Sequence, residues 1–140
     1  MSISTMSIST SARTLGLLIG LAVSVSTTAA FAFETKPFDD ASFKATQAAG
    51  KAAVVHVTAP WCPTCKAQET VLQGMATDPA YAALTVFKVD FDSQEPVMKR
   101  FNARTHSTLI AFSGAEETGR VVGQTSPAAI ASVFASTAKH

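Results

Sequence analysis

The chain has 140 residues, with 11 Lys and Arg against 10 Asp and Glu and a formal net charge of +1 at pH 7. This length predicts one domain with room for a hydrophobic core. Only 15% of the residues are charged and the basic ones are scattered, with only Lys99 and Arg100 adjacent, which excludes a nucleic-acid-binding protein that works through a basic patch.

The first 32 residues have the pattern of a secretory signal peptide. Arg13 is the only charged residue before Glu34, an apolar run follows from Leu15 to Val25, and Ala30-Phe31-Ala32 has the small residues that precede a cleavage site. The run is shorter than the roughly 20 residues of a membrane-spanning helix, which disfavours the alternative of an uncleaved membrane anchor. We expect cleavage after Ala32, a domain of residues 33–140, and export, to the periplasm if the source is bacterial, into an oxidising environment.

The first half of the domain is predicted to alternate helix and strand. Asp39 and Asp40 can cap a helix that contains Phe43 and ends at Gly50. The next segment is apolar on both faces, which is typical of a central strand covered by helices. The predicted elements after that first helix are a strand from Ala52 to Thr58, a helix after Cys62 with an apolar face of Val71, Leu72 and Met75, a short helix or turn from Asp78 to Leu84, and a strand from Thr85 to Phe91.

The second half is predicted to end in a hairpin and a helix. Strands separated by helices imply parallel pairing with right-handed crossovers, so the whole pattern predicts an α/β fold, with a central mixed four-stranded sheet and helices on both faces. The predicted elements are a helix that begins at Ser93 or Gln94 and ends at Asn102, a strand from Thr108 to Phe112, a turn from Gly114 to Gly119, a strand from Arg120 to Val122, and a helix that begins with Ser126 and Pro127.

Both cysteines lie in the stretch Trp61-Cys62-Pro63-Thr64-Cys65-Lys66, directly after the predicted central strand. This order places Cys62 where unpaired backbone N–H groups and the helix dipole favour a thiolate. Cys65 falls on the same helical face and can close a disulfide with Cys62. A purely structural disulfide is the alternative, but so short a loop gives little chain-entropy stabilisation. We therefore interpret the pair as a redox-active dithiol.

Trp-Cys-Pro-Thr-Cys-Lys resembles the active-site signature of the thioredoxin superfamily, and the resemblance extends from about residue 52 to residue 135. Lys88 stands where thioredoxins usually have a buried lysine, and Gly123 matches a glycine of the loop that approaches the active site. Thr108-Leu109-Ile110 resembles the strand after the family's cis-proline, and Thr77 to Tyr81 looks like the exported disulfide-interchange reductases. The resemblance implies the thioredoxin fold, a thiol–disulfide oxidoreductase activity without a bound cofactor, and protein disulfides as substrates.

Two positions depart from the family pattern. Ser107 stands where the family has its cis-proline, a residue that shapes the substrate groove and shields the cysteines from metal ions. A cis peptide before a residue other than proline costs about 2.5–4 kcal/mol, so the bond between His106 and Ser107 is expected to be trans. His56 stands where thioredoxins commonly place a buried aspartate near the second cysteine.

The resemblance and the residue chemistry together assign candidate roles. Cys62 is expected to attack a substrate disulfide as a thiolate, and Cys65 to resolve the mixed disulfide. His56 is a candidate proton acceptor for Cys65, because a nearby charged Lys88 would disfavour the protonated imidazole; the alternative is a core histidine bonded to backbone. The residues expected to contact substrate or to shape its groove are Trp61, His106, Ser107 and Gly123.

The sequence thus predicts an exported reductase of protein disulfides, monomeric and supplied with electrons by a membrane donor of the disulfide-interchange type. Reduction is preferred because the oxidising branch typically carries a helical insertion, for which the segment between Phe91 and His106 leaves no room. Two alternatives stay open: a dithiol oxidase, and a metal-binding or metallochaperone module that uses Cys62, Cys65 and His106. No nucleic-acid partner and no resident metal are expected.

Overall fold

A computed structural model describes residues 33–138. The predicted signal peptide lies outside these residues, so that segment and its cleavage stay predictions. Among residues 33–138, none of the helices combines the length and the apolar character needed to cross a bilayer.

Five strands form one mixed sheet in the described part of the chain, with four α-helices packed around it. The strand order is β1-β3-β2-β4-β5; β1 and β2 both pair with β3 in parallel, whereas β4 pairs with β2 and β5 in antiparallel fashion. The elements are β1 (Glu34–Pro37), α1 (Asp40–Ala48), β2 (Ala52–Thr58), α2 (Pro63–Met75), a 3₁₀ turn (Pro79–Tyr81), β3 (Thr85–Asp90), α3 (Glu95–Arg100), β4 (Thr108–Ser113), β5 (Glu116–Val122) and α4 (Pro127–Ser136).

This architecture confirms the predicted mixed sheet and corrects its number of strands from four to five. The additional strand, β1, reads Glu-Thr-Lys-Pro and has no run of apolar or β-branched residues that would identify it as a strand. Parallel pairing with β3 fixes it instead, with backbone hydrogen bonds at its two ends: the N–H of Glu34 donates to Leu84 O, just before β3, and that of Phe38, just after β1, donates to Lys88 O. Tertiary pairing, not local propensity, therefore makes this edge strand.

The predicted turn between the last two strands is too long. Gly114 adopts a φ of +56°, a conformation that glycine reaches without strain, and β5 already begins at Glu116. A two-residue connection is enough for such a hairpin. Glu116 and Glu117, expected in the turn, instead pair with Ser113 and Phe112.

The sheet separates two apolar clusters, and β2 is buried on both faces, as predicted. Val55 and Val57 belong to a cluster with α1 and α3, here called the aromatic face, and Val54 belongs to a cluster with α2 and α4, here called the α2–α4 face. Ring centroids on the aromatic face lie 5.2–6.1 Å apart, within the range of favourable aromatic pairs. The rings are those of Phe38, Phe43, Phe87, Phe101 and Phe112.

Candidate active site

Cys62 and Cys65 form a disulfide at the point where β2 ends and α2 begins. Cys62 is the N-cap of α2, and its Sγ accepts a hydrogen bond of 3.1 Å from the backbone N–H of Cys65. Pro63 occupies the first position of the helix, where its fixed φ is favourable. After reduction, the same N–H group and the positive end of the helix stabilise a thiolate at Cys62. The two residues are only 0% and 1% exposed.

The hydroxyl of Ser107 contacts both sulfurs of the disulfide. Its Oγ lies 3.2 Å from Sγ of Cys62 and 3.2 Å from Sγ of Cys65. No peptide bond is cis among residues 33–138, as predicted for His106–Ser107. Ser107 has a φ of +57°, a left-handed conformation that costs a residue with a Cβ about 1–2 kcal/mol. Strain of this kind persists where surrounding contacts over-determine the backbone, and it is concentrated at functional sites.

His106 covers Cys62, with its Nδ1 3.2 Å from the sulfur and 3.1 Å from Oγ of Ser107. The imidazole ring packs edge-on against Trp61 and Phe91, with centroid distances of 5.1 and 5.3 Å. These two aromatic contacts fix the orientation of the ring. His106 is therefore positioned to form a hydrogen bond with the thiol or thiolate of Cys62.

Trp61, directly before Cys62 in the chain, and Gly123 lie at the edge of the site. The side chain of Trp61 is 55% exposed, the most open to solvent of the large apolar side chains in the described part of the chain. The indole N–H of Trp61 donates to Asp92 at 2.8 Å. Gly123, which follows Val122, has a φ of +67° and donates its N–H to Ser107 O at 2.8 Å. The structure thus brings together all four residues predicted to line the substrate groove.

Gln68 is a buried polar residue that sequence reasoning missed. Its Nε2 donates to Ser107 O at 3.0 Å and to Gln124 O at 2.9 Å, and its Oε1 lies 3.0 Å from Nε2 of His56. Because carbonyl oxygens only accept, the amide nitrogen has to face them, and Oε1 accepts from the imidazole. The available signal was position: Gln68 lies three residues after Cys65 and therefore on the same face of α2.

His56 is fully buried, and its bond to Gln68 defines its tautomer. Since Nε2 donates, the neutral ring carries its proton there, and the buried Nδ1 has no hydrogen-bond partner. Burial is the main reason that the pKa of His56 falls to about 4; Lys88 lowers it further, whereas Gln68 and Glu69 oppose the change. The imidazole is therefore neutral at pH 7.

No hydrogen bond joins His56 to a cysteine within residues 33–138, so its connection to the sulfurs runs through Gln68 and Ser107. Its partner is a side chain, which differs from the backbone-bonded core histidine that was the alternative. Its role as the proton acceptor for Cys65 stays a prediction.

Lys88 is the register partner of His56 on the neighbouring strand. Its Nζ forms an ion pair of 2.5 Å with Glu69, and both side chains are about one third exposed. With His56 they line a cleft of about 220 Å³ between the sheet and α2. Lys88 is thus half-buried, and Glu69 neutralises its charge beside the imidazole.

Known proteins that resemble this chain include thioredoxins and a protein disulfide-isomerase. The sequence model of the thioredoxin family matches residues 34–136. The chain is 35% identical over 92 residues to the thioredoxin of Mycobacterium bovis, a match that covers 65% of this chain and 78% of that protein. It is 37% identical over 82 residues to the protein disulfide-isomerase erp38 of Neurospora crassa, which covers 57% of this chain and only 21% of that longer protein.

Among solved structures, the fold is similar to the crystal structure of Trxlp from Edwardsiella tarda. The TM-score is 0.70 at 40% sequence identity, and the match covers 72% of this chain and 98% of that one. The sheet order, the disulfide at the start of α2 and these similarities lead to one conclusion: the chain belongs to the thioredoxin family of thiol–disulfide oxidoreductases.

Proposed function

We propose that the protein is an exported, monomeric reductase of protein disulfides, with Cys62 as the nucleophile and Cys65 as the resolving thiol. The observation that carries this proposal is the Cys62–Cys65 disulfide at the N-terminus of α2, where the N–H of Cys65 points at Sγ of Cys62. A thiolate there is stabilised in the reduced state, which raises the fraction of Cys62 in the reactive thiolate form near neutral pH.

The reaction consists of two exchanges. The thiolate of Cys62 attacks one sulfur of the substrate disulfide, a mixed disulfide forms, and the other substrate sulfur leaves as a thiolate. Cys65 then loses its proton and attacks Sγ of Cys62, which re-forms the Cys62–Cys65 disulfide and releases the second substrate thiol. Two electrons have passed to the substrate, and a membrane donor of the disulfide-interchange type would return the pair to the dithiol.

Four residues are proposed to hold the substrate. Trp61 offers an exposed apolar surface beside Cys62, and His106 and Ser107 offer polar atoms at its sulfur. Gly123, in a loop tied to Ser107, leaves room for an extended substrate backbone to approach. Because His106 covers Cys62, its ring has to shift when a substrate sulfur approaches.

His56 is proposed to accept the proton of Cys65, with Lys88 adjusting its charge state. Burial opposes this role, because a pKa of about 4 makes the neutral imidazole a weak base. The proton therefore stays on His56 only while a thiolate is present nearby, since the opposite charge favours the imidazolium.

Two features support the proposed direction of electron flow and the proposed export of the protein. The segment between β3 and β4 contains only the short α3 helix, which is consistent with a reductase that lacks the helical insertion of the oxidising branch. Export is inferred from the signal pattern of residues 1–32. Cell fractionation tests it: the protein should be found outside the cytosol, and a charged substitution in the apolar run, Leu18→Arg, should retain it inside.

The reduction potential tests the direction of electron flow. The protein is equilibrated with defined thiol buffers, and free thiols are counted. A reductase should give a value near the roughly −270 mV of thioredoxin, whereas a value near the roughly −120 mV of a strong oxidant would assign the protein as a dithiol oxidase. Cys62→Ser should abolish disulfide turnover, and Cys65→Ser should accumulate mixed disulfides with substrate.

A further inference from the structure

We propose that the reduced protein binds one zinc ion through Sγ of Cys62, Sγ of Cys65 and Nδ1 of His106. In the described part of the chain these three ligand atoms lie within 4.8 Å of one another. Two thiolates and one imidazole form a donor set that zinc accepts in proteins, with a fourth position left for water or another ligand. The proposal does not depend on the direction in which the dithiol passes electrons.

The geometry needs only a small adjustment after reduction. Zinc at about 2.3 Å from sulfur and about 2.0–2.1 Å from nitrogen in a tetrahedral site places its ligand atoms roughly 3.5–3.8 Å apart. Nδ1 of His106 already lies 3.2 Å from Sγ of Cys62. Loss of the disulfide bond removes the constraint that keeps the sulfurs closer than this, and the Cα atoms, 5.3 Å apart, can stay where they are.

The neighbouring residues hold the ligands in place. Trp61 and Phe91 pack edge-on against the ring of His106 and keep Nδ1 directed at Cys62. Ser107 places a hydroxyl, 3.2 Å from each sulfur, where it can donate to a coordinated thiolate. Such contacts around the ligands orient them and raise metal affinity.

Charge also favours the ion. Reduction followed by ionisation would leave two thiolates in a pocket formed with Ala59 and Phe91, and burial strongly disfavours uncompensated charge. A divalent cation with two thiolates and a neutral imidazole forms a site of zero net charge. Binding proceeds by release of two thiol protons as Zn²⁺ enters, and no electrons are transferred. Because the disulfide lacks thiolates, zinc is restricted to the reduced protein.

The test is a zinc titration of the full chain. The protein is reduced with a phosphine, desalted without oxygen, and titrated with Zn²⁺ against a chromophoric chelator at pH 7.5. We expect one equivalent to bind, and His106→Gln to weaken binding by at least about tenfold, the scale of effect seen even for residues behind the ligands. Cys65→Ser should abolish binding. Co²⁺ should give a thiolate-to-cobalt charge-transfer band that weakens in His106→Gln.

The matched control is His140→Gln, the same substitution at a histidine outside the described residues, which should bind zinc like the unmodified protein. Thermal melting establishes that each variant is folded. The proposal is overturned if the reduced protein binds no stoichiometric zinc, if His106→Gln binds it equally tightly, or if the oxidised protein binds it as well. Disulfide turnover is measured separately, so a failed reductase assay leaves the zinc result interpretable.

Discussion

The two faces of the central strand β2 are buried to the same extent but are packed with different chemistry. Val55 and Val57 belong to the apolar cluster of the aromatic face. His56 points to the other face and starts a series of polar contacts that reaches the cysteines through Gln68 and Ser107. Buried polar groups are costly unless each finds a partner. We infer that one face supplies mainly stability and that the other supports the site.

Substitution on the aromatic face should produce the largest loss of stability. Phe43 contacts the rings of Phe38, Phe87, Phe101 and Phe112. Phe43→Ala should therefore lower the free energy of unfolding by about 3–5 kcal/mol in urea denaturation, because it removes apolar area and leaves a cavity. The folded fraction should retain its reduction potential. A large change in that potential would contradict the division between the two faces.

His56 should make stability fall in mild acid. Its pKa is about 4 in the folded protein against an ordinary 6.5, so between these values the unfolded chain binds more protons, and the free energy of unfolding decreases as the pH falls. The difference between the two pKa values corresponds to a loss of roughly 3 kcal/mol in the free energy of unfolding once the pH is below both of them.

Urea denaturation between pH 7 and pH 4.5 measures this slope. His56→Gln, which can still donate to Gln68, should lack it. Carboxylates titrate in both proteins, so the difference between them isolates the imidazole. Equal slopes in the two proteins would show that His56 is not held neutral.

Gln68→Leu should interrupt the polar series. It leaves the buried N–H of His56 without its acceptor and removes the Gln68 bonds to the carbonyls of Ser107 and Gln124, of which Ser107 keeps only the bond from Gly123. This should cost about 1–3 kcal/mol of stability. Disulfide reduction should also slow, since Ser107 loses an anchor. The matched control is Gln73→Leu, on the exposed side of the same helix. Its free energy of unfolding should differ from that of the unmodified protein by no more than about 0.5 kcal/mol. A Gln68→Leu protein as stable as this control would overturn the argument.

Trp61→Ala should give the smallest effect, because the side chain is more than half exposed. We expect the free energy of unfolding to change by less than about 1 kcal/mol. KM for a protein disulfide should rise severalfold with kcat nearly unchanged, because the indole would bind the substrate equally well in the ground state and in the transition state. Asp92→Ala, which frees the indole N–H, should reproduce only part of this rise. An unchanged KM in Trp61→Ala would remove the indole from the substrate surface.

Local patterns predicted the elements that carry strong signals. The apolar run of β2, the N-cap at Asp39 and the Ser126-Pro127 start of α4 appear as predicted. The strand β1 has no such signal, because its pairing with β3 determines it.

The cysteine motif likewise located the redox pair, and the family resemblance located Ser107. The contacts of the Ser107 hydroxyl with both sulfurs could not be predicted, because they depend on a left-handed backbone conformation that the local sequence does not encode. The same limit applies to Gln68, whose three partners come from separate segments of the chain.

Two loops are tied to the same helix and to each other in this fold. The amide of Gln68 holds the carbonyl of Ser107 in the loop before β4 and that of Gln124 in the loop after β5, and the N–H of Gly123 joins the second loop to the first. Neither loop can move away without breaking bonds that also restrain the other. We therefore expect the two loops to move together when the groove around the cysteines opens, and not as two independent flaps.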